Sequence, residues 1–181
     1  MYQRREITTQ EKLQQEQYCQ RVRARIAHRP HYAMVDTYGC QQNESDSEIL
    51  RGWLVQCGYT LTEDEDKADL IAVNTCAVRE HAEKRVLGNV GALAHKKAKN
   101  PELLVCVGGC MTQQATVRER IRKSYQVVDL VFGPHEVWQF PELCTRPWSA
   151  GADGAASAGS SPRSHPRAWS PRACPGPGTT T

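Results

Sequence analysis

No apolar run in the 181-residue sequence approaches the roughly 20 residues a membrane-spanning helix needs. The opening Met1-Tyr2-Gln3-Arg4-Arg5-Glu6 also has no apolar stretch behind it to act as a signal peptide. A soluble, cytoplasmic, monomeric protein with no membrane partner is therefore expected. Excess basic charge is also missing where a nucleic-acid binder would carry it. The formal charge is +3, but the stretch from Cys144 onward sets four arginines (146, 163, 167 and 172) against Asp153 alone. The first 143 residues carry 19 basic and 19 acidic side chains, so charge does not mark them as an RNA-binding surface. No glycine-rich phosphate-binding loop is visible, which argues against a nucleotide site. No close C-x₂₋₄-C pair is centred on Cys40 or Cys76, as a structural zinc knuckle would require.

What the chain has is alternation. Short apolar runs, Tyr32 to Val35, Leu70 to Val73 and Leu103 to Val107, each precede a polar stretch suited to opening a helix. Further strands are expected at 59–61 and 127–132, and helices at about 44–57, 78–99, 116–125 and 135–143. The wholly apolar Leu70-Ile71-Ala72-Val73 fits a strand covered on both faces. Strands alternating with helices predict a flavodoxin-like α/β domain with a doubly wound parallel sheet over residues 32–143. Residues 1–31 form a polar helical arm. Thr8 and Glu11 have capping-box spacing, and Leu13, Val22 and Ile26 supply a thin apolar stripe, so a largely solvated arm is expected. A second capping box is expected at Ser45 and Glu48. Residues 144–181 are mostly Ala, Gly, Ser, Pro, Arg and Thr, too poor in apolar side chains to offset their conformational entropy, and are expected to be disordered.

Eight cysteines in a reducing compartment serve metals or catalysis more often than disulfides. Cys40, Cys76 and Cys110 each follow one of the three apolar runs. In a parallel sheet the carboxyl ends of the strands share one edge, where ligands bind. Soft thiolates select iron–sulfur clusters, zinc or cuprous copper. Three cysteines suit a cubane cluster with one open iron, since full ligation takes four. Gly39 and Gly109 precede two of the cysteines and allow close backbone approach. Helices starting after the cysteines would aim amide donors at an anionic cluster. Cys106, inside a strand, reads as a small buried thiol. Cys19, Cys57, Cys144 and Cys174 lie in a polar helix, a helix end, a boundary and the tail. Asn43, Asn74 and Arg79 flank the ligands and can hydrogen-bond cluster sulfides or a substrate, though capping explains the asparagines equally well.

Thr37-Tyr38-Gly39-Cys40-Gln41-Gln42-Asn43 with Asp46-Ser47-Glu48, then Asn74-Thr75-Cys76-Ala77-Val78-Arg79-Glu80, then Gly109-Cys110-Met111, resemble the N-terminal domain of the radical S-adenosylmethionine methylthiotransferases. The Thr-Tyr-Gly-Cys-Gln opening is that of the MiaB-type tRNA enzymes, which place a methylthio group on C2 of an isopentenylated adenosine beside the anticodon. The ribosomal-protein relatives read closer to Leu-Gly-Cys-Pro-Lys-Asn. Gln42 departs from the methionine common there, at a position that is not a ligand.

The resemblance implies an auxiliary 4Fe–4S cluster on Cys40, Cys76 and Cys110, with Asn43, Asn74 and Arg79 around it. It also implies a second 4Fe–4S cluster binding S-adenosylmethionine through Cys-x₃-Cys-x₂-Cys, and tRNA as substrate. That motif is absent: Cys106 and Cys110 have the first spacing, but Gln113 stands where the third cysteine belongs. The chain alone is therefore expected to be catalytically silent, with weak or no tRNA binding. A non-enzymatic zinc- or iron-binding module and a metal-free interaction domain are the competing readings.

Overall fold

The expected alternation is realised as a five-stranded, all-parallel sheet. The computed structural model of the protein describes residues 6–76 and 80–145. Arg79 and the tail from 146 onward lie outside them. The chain runs α1 (Thr9–Ile26), β1 (Tyr32–Tyr38), α2 (Gln41–Gln56), β2 (Thr60–Leu61), β3 (Leu70–Thr75), α3 (Glu80–Lys99), β4 (Leu104–Gly109), α4 (Ala115–Ser124), β5 (Leu130–Phe132) and α5 (Phe140–Thr145). Short 3₁₀ turns at Cys110–Gln113 and Pro134–Gln139 precede α4 and α5. The strand order β2-β1-β3-β4-β5 is the flavodoxin-like order.

Alternation along the central strands divides the core in two. Ile71, Val73, Val105 and Val107 face Val86, Leu87, Val90 and Leu93 of α3 and Val117 and Ile121 of α4. Ala33, Leu70, Ala72 and Cys106 face the other way, onto Leu50 and Leu54 of α2 and Phe140 of α5. Each large aliphatic fully buried in these layers contributes roughly 1.5–3 kcal/mol. All six residues of β3 are buried, as its unbroken apolar run requires.

Two expectations about helices need correction. The capping box of Thr8 and Glu11 opens α1 as read, but the helix is not solvated throughout. Its buried side is Gln15, Cys19, Val22 and Ile26, and Leu13 stays 54% exposed. Nine residues at about 100° each set Leu13 half a turn away from Val22, so the two cannot share a stripe. The amide of Gln15 tolerates burial because its Oε1 accepts from the Glu142 backbone N–H at 3.2 Å, which ties α1 to α5. Likewise α2 does not begin at a Ser45–Glu48 box. It begins three residues earlier than expected, with Cys40 as its N-cap, and Glu48 pairs instead with Arg51 at 2.6 Å.

Candidate metal centre

The sheet register brings the cysteine-bearing turns side by side. Tyr38 is level with Thr75, and Thr75 with Gly109. Cys76 and Cys110 therefore leave the sheet one residue past the same level, and Cys40 two. β1 and β3 are the neighbours between which the strand order reverses, so Cys40 and Cys76 flank the topological switch point. The Cys76 N–H donates to Tyr38 O at 2.9 Å, fastening the second turn to the first.

The three thiols have unlike surroundings. Cys40 is exposed, Cys110 intermediate and Cys76 buried, at 4% exposure. The amides of Asn43 and Gln42, at the start of α2, hold the Cys40 thiol below its ordinary range. Burial raises the Cys110 thiol, and the charges of Cys76, Cys40 and Asp46 raise it further. The expectation that helix amides serve every cysteine therefore holds for Cys40 and not for Cys110. The latter opens a four-residue 3₁₀ turn, and α4 starts only at Ala115. Cys110 thus lies within electrostatic range of the other two cysteines, whose negative charge a bound cation would offset.

Asn43 and Asn74 bind the turns together. Asn43 is fully buried; its Oδ1 accepts from the Cys40 N–H at 3.2 Å and from Cys40 Sγ at 3.4 Å. Its Nδ2 donates to Thr75 O at 3.1 Å and to Asn74 Oδ1 at 3.3 Å. Asn74 Nδ2 in turn donates to Asn43 O at 2.8 Å and to Ser47 Oγ at 3.0 Å, and the Thr37 hydroxyl donates to Ser47 Oγ at 2.8 Å. Asn43 thus caps its own helix, one of the two explanations read from the sequence, and braces Cys40 against the strand that carries Cys76.

The glycines before the cysteines make room for this brace. A Cβ on Gly39 would fall 2.2 Å from Asn43 Oδ1. On Gly109 it would fall 2.1 Å from Thr75 O and 2.6 Å from Asn74 Oδ1. Gly109 has φ 101° and ψ −170°, a region open essentially to glycine alone.

Ser47, Asp46 and Thr37 belong to the motifs quoted from the sequence, but their structural role was not read there. The available signal was helical spacing: Asp46 and Ser47 lie three and four residues after Asn43, on the side of α2 that turns to the sheet. Asp46 is 1% exposed, and its Oδ1 accepts from Gln42 Nε2 at 3.2 Å. Among the described residues no three His, Cys, Asp or Glu side chains are arranged to hold one metal ion. Cys106 is 2% exposed within β4 and takes no part, as expected.

A family model described as "Uncharacterized protein family UPF0004" matches residues 32–133. The chain belongs to this family. The matched span runs from the first residue of β1 to the residue after β5, so the UPF0004 unit coincides with the sheet. The chain is also 52% identical over 113 residues to the tRNA-2-methylthio-N(6)-dimethylallyladenosine synthase of Alkaliphilus oremlandii, covering 62% of this chain and 24% of that one. It is 44% identical over 137 residues to the enzyme of the same name from Thermoanaerobacter pseudethanolicus, covering 76% of this chain and 29% of that one. The Staphylococcus haemolyticus enzyme gives 48% over 110 residues, 61% of this chain and 21% of that one. The chain thus spans less than a third of the length of these curated relatives. The resemblance to methylthiotransferases drawn from the three cysteine motifs is borne out.

Proposed function

We propose that residues 32–133 are the cluster-bearing domain of a tRNA methylthiotransferase, holding a 4Fe–4S cluster through Cys40, Cys76 and Cys110. The observation that supports this reading is the strand register, which sets Cys40, Cys76 and Cys110 one or two residues past the same level at the carboxyl edge of the sheet. The donor set fits such a group: all three donors are soft, and three sulfurs would leave one iron open. When bound, the group supplies an open iron able to carry the sulfur that ends on the base.

This chain's own residues hold and shape that site. Cys40 is the first donor to ionise, because α2 directs the Asn43 and Gln42 amides at its sulfur. Asn43 and Asn74 fix the distance between the Cys40 and Cys76 turns. Cys110, half-buried, is raised by burial and ionises less readily than Cys40. The proposed substrate of the whole enzyme is tRNA, by likeness to the named relatives. These 181 residues contain no Cys-x₃-Cys-x₂-Cys run for generating a radical from S-adenosylmethionine. Methylthiolation is therefore proposed only of an assembly that supplies one, and this chain alone is proposed to be silent.

Anaerobic iron–sulfide reconstitution of the full chain tests the reading, with Cys76→Ala alongside. A brown protein with about four irons per chain, lost in the variant, is the expected result. A wild-type protein that folds, stays colourless and retains no iron would overturn it. Tightly bound zinc without sulfide would favour the non-enzymatic metal module instead.

A further inference from the structure

A second pair of thiols meets on the far side of the sheet. Cys19 on α1 and Cys57 at the C-cap of α2 are 38 residues apart in sequence, yet the Cys57 Sγ donates to Cys19 Sγ at 3.3 Å. Both are buried, at 4% and 1% exposure. A disulfide needs sulfurs at about 2.05 Å, so the pair is roughly 1.2 Å from bonding distance, within reach of a small rotation of either side chain. The backbone on one side is fixed: the Cys57 N–H donates to Trp53 O at 2.8 Å, and the next residue, Gly58, turns the chain at φ 97° with its N–H on Val55 O. The other side is a helix docked mainly through the stripe Gln15, Cys19, Val22 and Ile26.

The two sulfurs are not equivalent. The hydrogen bond from Cys57 lowers the Cys19 thiol, against burial and the Glu16 charge, with a smaller lowering from the Arg23 charge one turn along. Cys57 is pushed up by the same hydrogen bond and by burial. Arg23 lies against the turn, its Cγ and Nε 3.2 and 3.3 Å from where a Cβ on Gly58 would stand. One thiol that accepts a hydrogen bond, next to a second that keeps its proton in donating it, is the arrangement of an attacking and a resolving cysteine.

We propose that Cys19 and Cys57 are an oxidation site: a peroxide joins them in a disulfide that clamps α1 to the end of α2. The Cys19 sulfur attacks one peroxide oxygen, the O–O bond breaks, and water leaves, giving a Cys19 sulfenic acid. The Cys57 sulfur then attacks the Cys19 sulfur. The S–S bond forms as the S–O bond breaks, and the released hydroxide takes the Cys57 proton as a second water. Two thiols lose two electrons and the peroxide gains them. Access requires local opening of the contact between α1 and the end of α2, which exposes Cys19 to a small uncharged oxidant. Dithiothreitol reverses the bond.

The test uses the reduced full chain, treated with stoichiometric hydrogen peroxide, then denatured, alkylated and mapped by peptide mass spectrometry, with thermal melts in parallel. A Cys19–Cys57 linked peptide and a rise in Tm of roughly 5–10 °C are expected, both reversed by dithiothreitol. Cys57→Ala and Cys19→Ala should each melt within a few degrees of the reduced wild type and show no rise. Cys57→Ser serves if the alanine variant does not fold. Recovery of both cysteines as free thiols would overturn the proposal. So would linkage of Cys19 to Cys144 instead, or a Cys19–Cys57 link without a gain in Tm.

Discussion

The carboxyl edge of the sheet and its α1/α2 face each gather cysteines, and they treat the same side chain in opposite ways. At the edge, Cys40 is exposed, and helix amides draw its thiol toward ionisation. On the face, Cys106 is buried within a strand, and desolvation pushes its thiol well above the ordinary range. Nothing in residue type separates them; position relative to strand ends does. A thiol just past a parallel strand meets helix amides where a helix begins at once, as at Cys40, and not where a 3₁₀ turn intervenes, as at Cys110. A thiol two or more residues inside the strand meets only packed side chains, and behaves as a small hydrophobe.

Alkylation rates give the largest expected contrast. With iodoacetamide on the native, metal-free protein, Cys40 should react at least about a hundredfold faster than Cys106, since the thiolate is the nucleophile and burial denies access. The sign with pH follows from the shifts. Cys40 is lowered, so its reactivity should rise to a plateau at a lower pH than that of an unperturbed cysteine. Cys110 is raised and should lag behind it. Mass spectrometry of timed aliquots reads both. Equal rates at Cys40 and Cys106 would remove the distinction between edge and face.

Backbone geometry at the edge is the next test. Gly109→Ala puts a methyl 2.1 Å from Thr75 O at a φ of 101°, and steric clash adds to backbone strain. A loss of roughly 3 kcal/mol or more in urea unfolding is expected, with iron uptake lost even where folding survives. Asn43→Ala should cost less, roughly 2 kcal/mol, because it leaves the Thr75 carbonyl and the Asn74 amide oxygen without a buried donor. Its mark is specific: iron content after reconstitution should fall more than stability does, since Cys40 loses its brace. An Asn43→Ala protein that takes up a full complement of iron would make the network structural only.

How far the sequence foretold these regions depends on which interactions shaped them. The strand ends were legible because alternation and apolar runs are local, and they alone put Cys40, Cys76 and Cys110 on one edge. The chemistry of Asn43 was half legible: its place beside Cys40 was clear, but the amide's reach to Thr75 requires the β1–β3 register, which no local pattern encodes. The start of α2 was misjudged for the same reason, since a capping box at Ser45 and Glu48 competes with a cysteine cap whose Asn43 partner is held by another strand. The arm failed differently. Its stripe was chosen by hydrophobicity, and the real contact face includes a glutamine that becomes buriable only when Glu142 arrives from 127 residues away.

That failure supplies the smallest and most discriminating prediction. Leu13 and Val22 lie on one helix and differ in which side they occupy, the first 54% exposed and the second 5%. Leu13→Ala removes the larger side chain, so hydrophobicity alone expects it to cost more. Burial expects the reverse. Leu13→Ala should change stability by less than about 0.5 kcal/mol, as surface substitutions do. Val22→Ala should cost roughly 1–2.5 kcal/mol, through lost burial and the cavity left between α1 and α2. Parallel urea melts of the two variants measure the difference directly. If Leu13→Ala proved the costlier, α1 would dock through the stripe its sequence first suggested, and Cys19 would lose its contact with Cys57. If Val22→Ala proves costlier, the arm is part of the α1/α2 face, and the thiol pair beneath it sits where a covalent clamp can act.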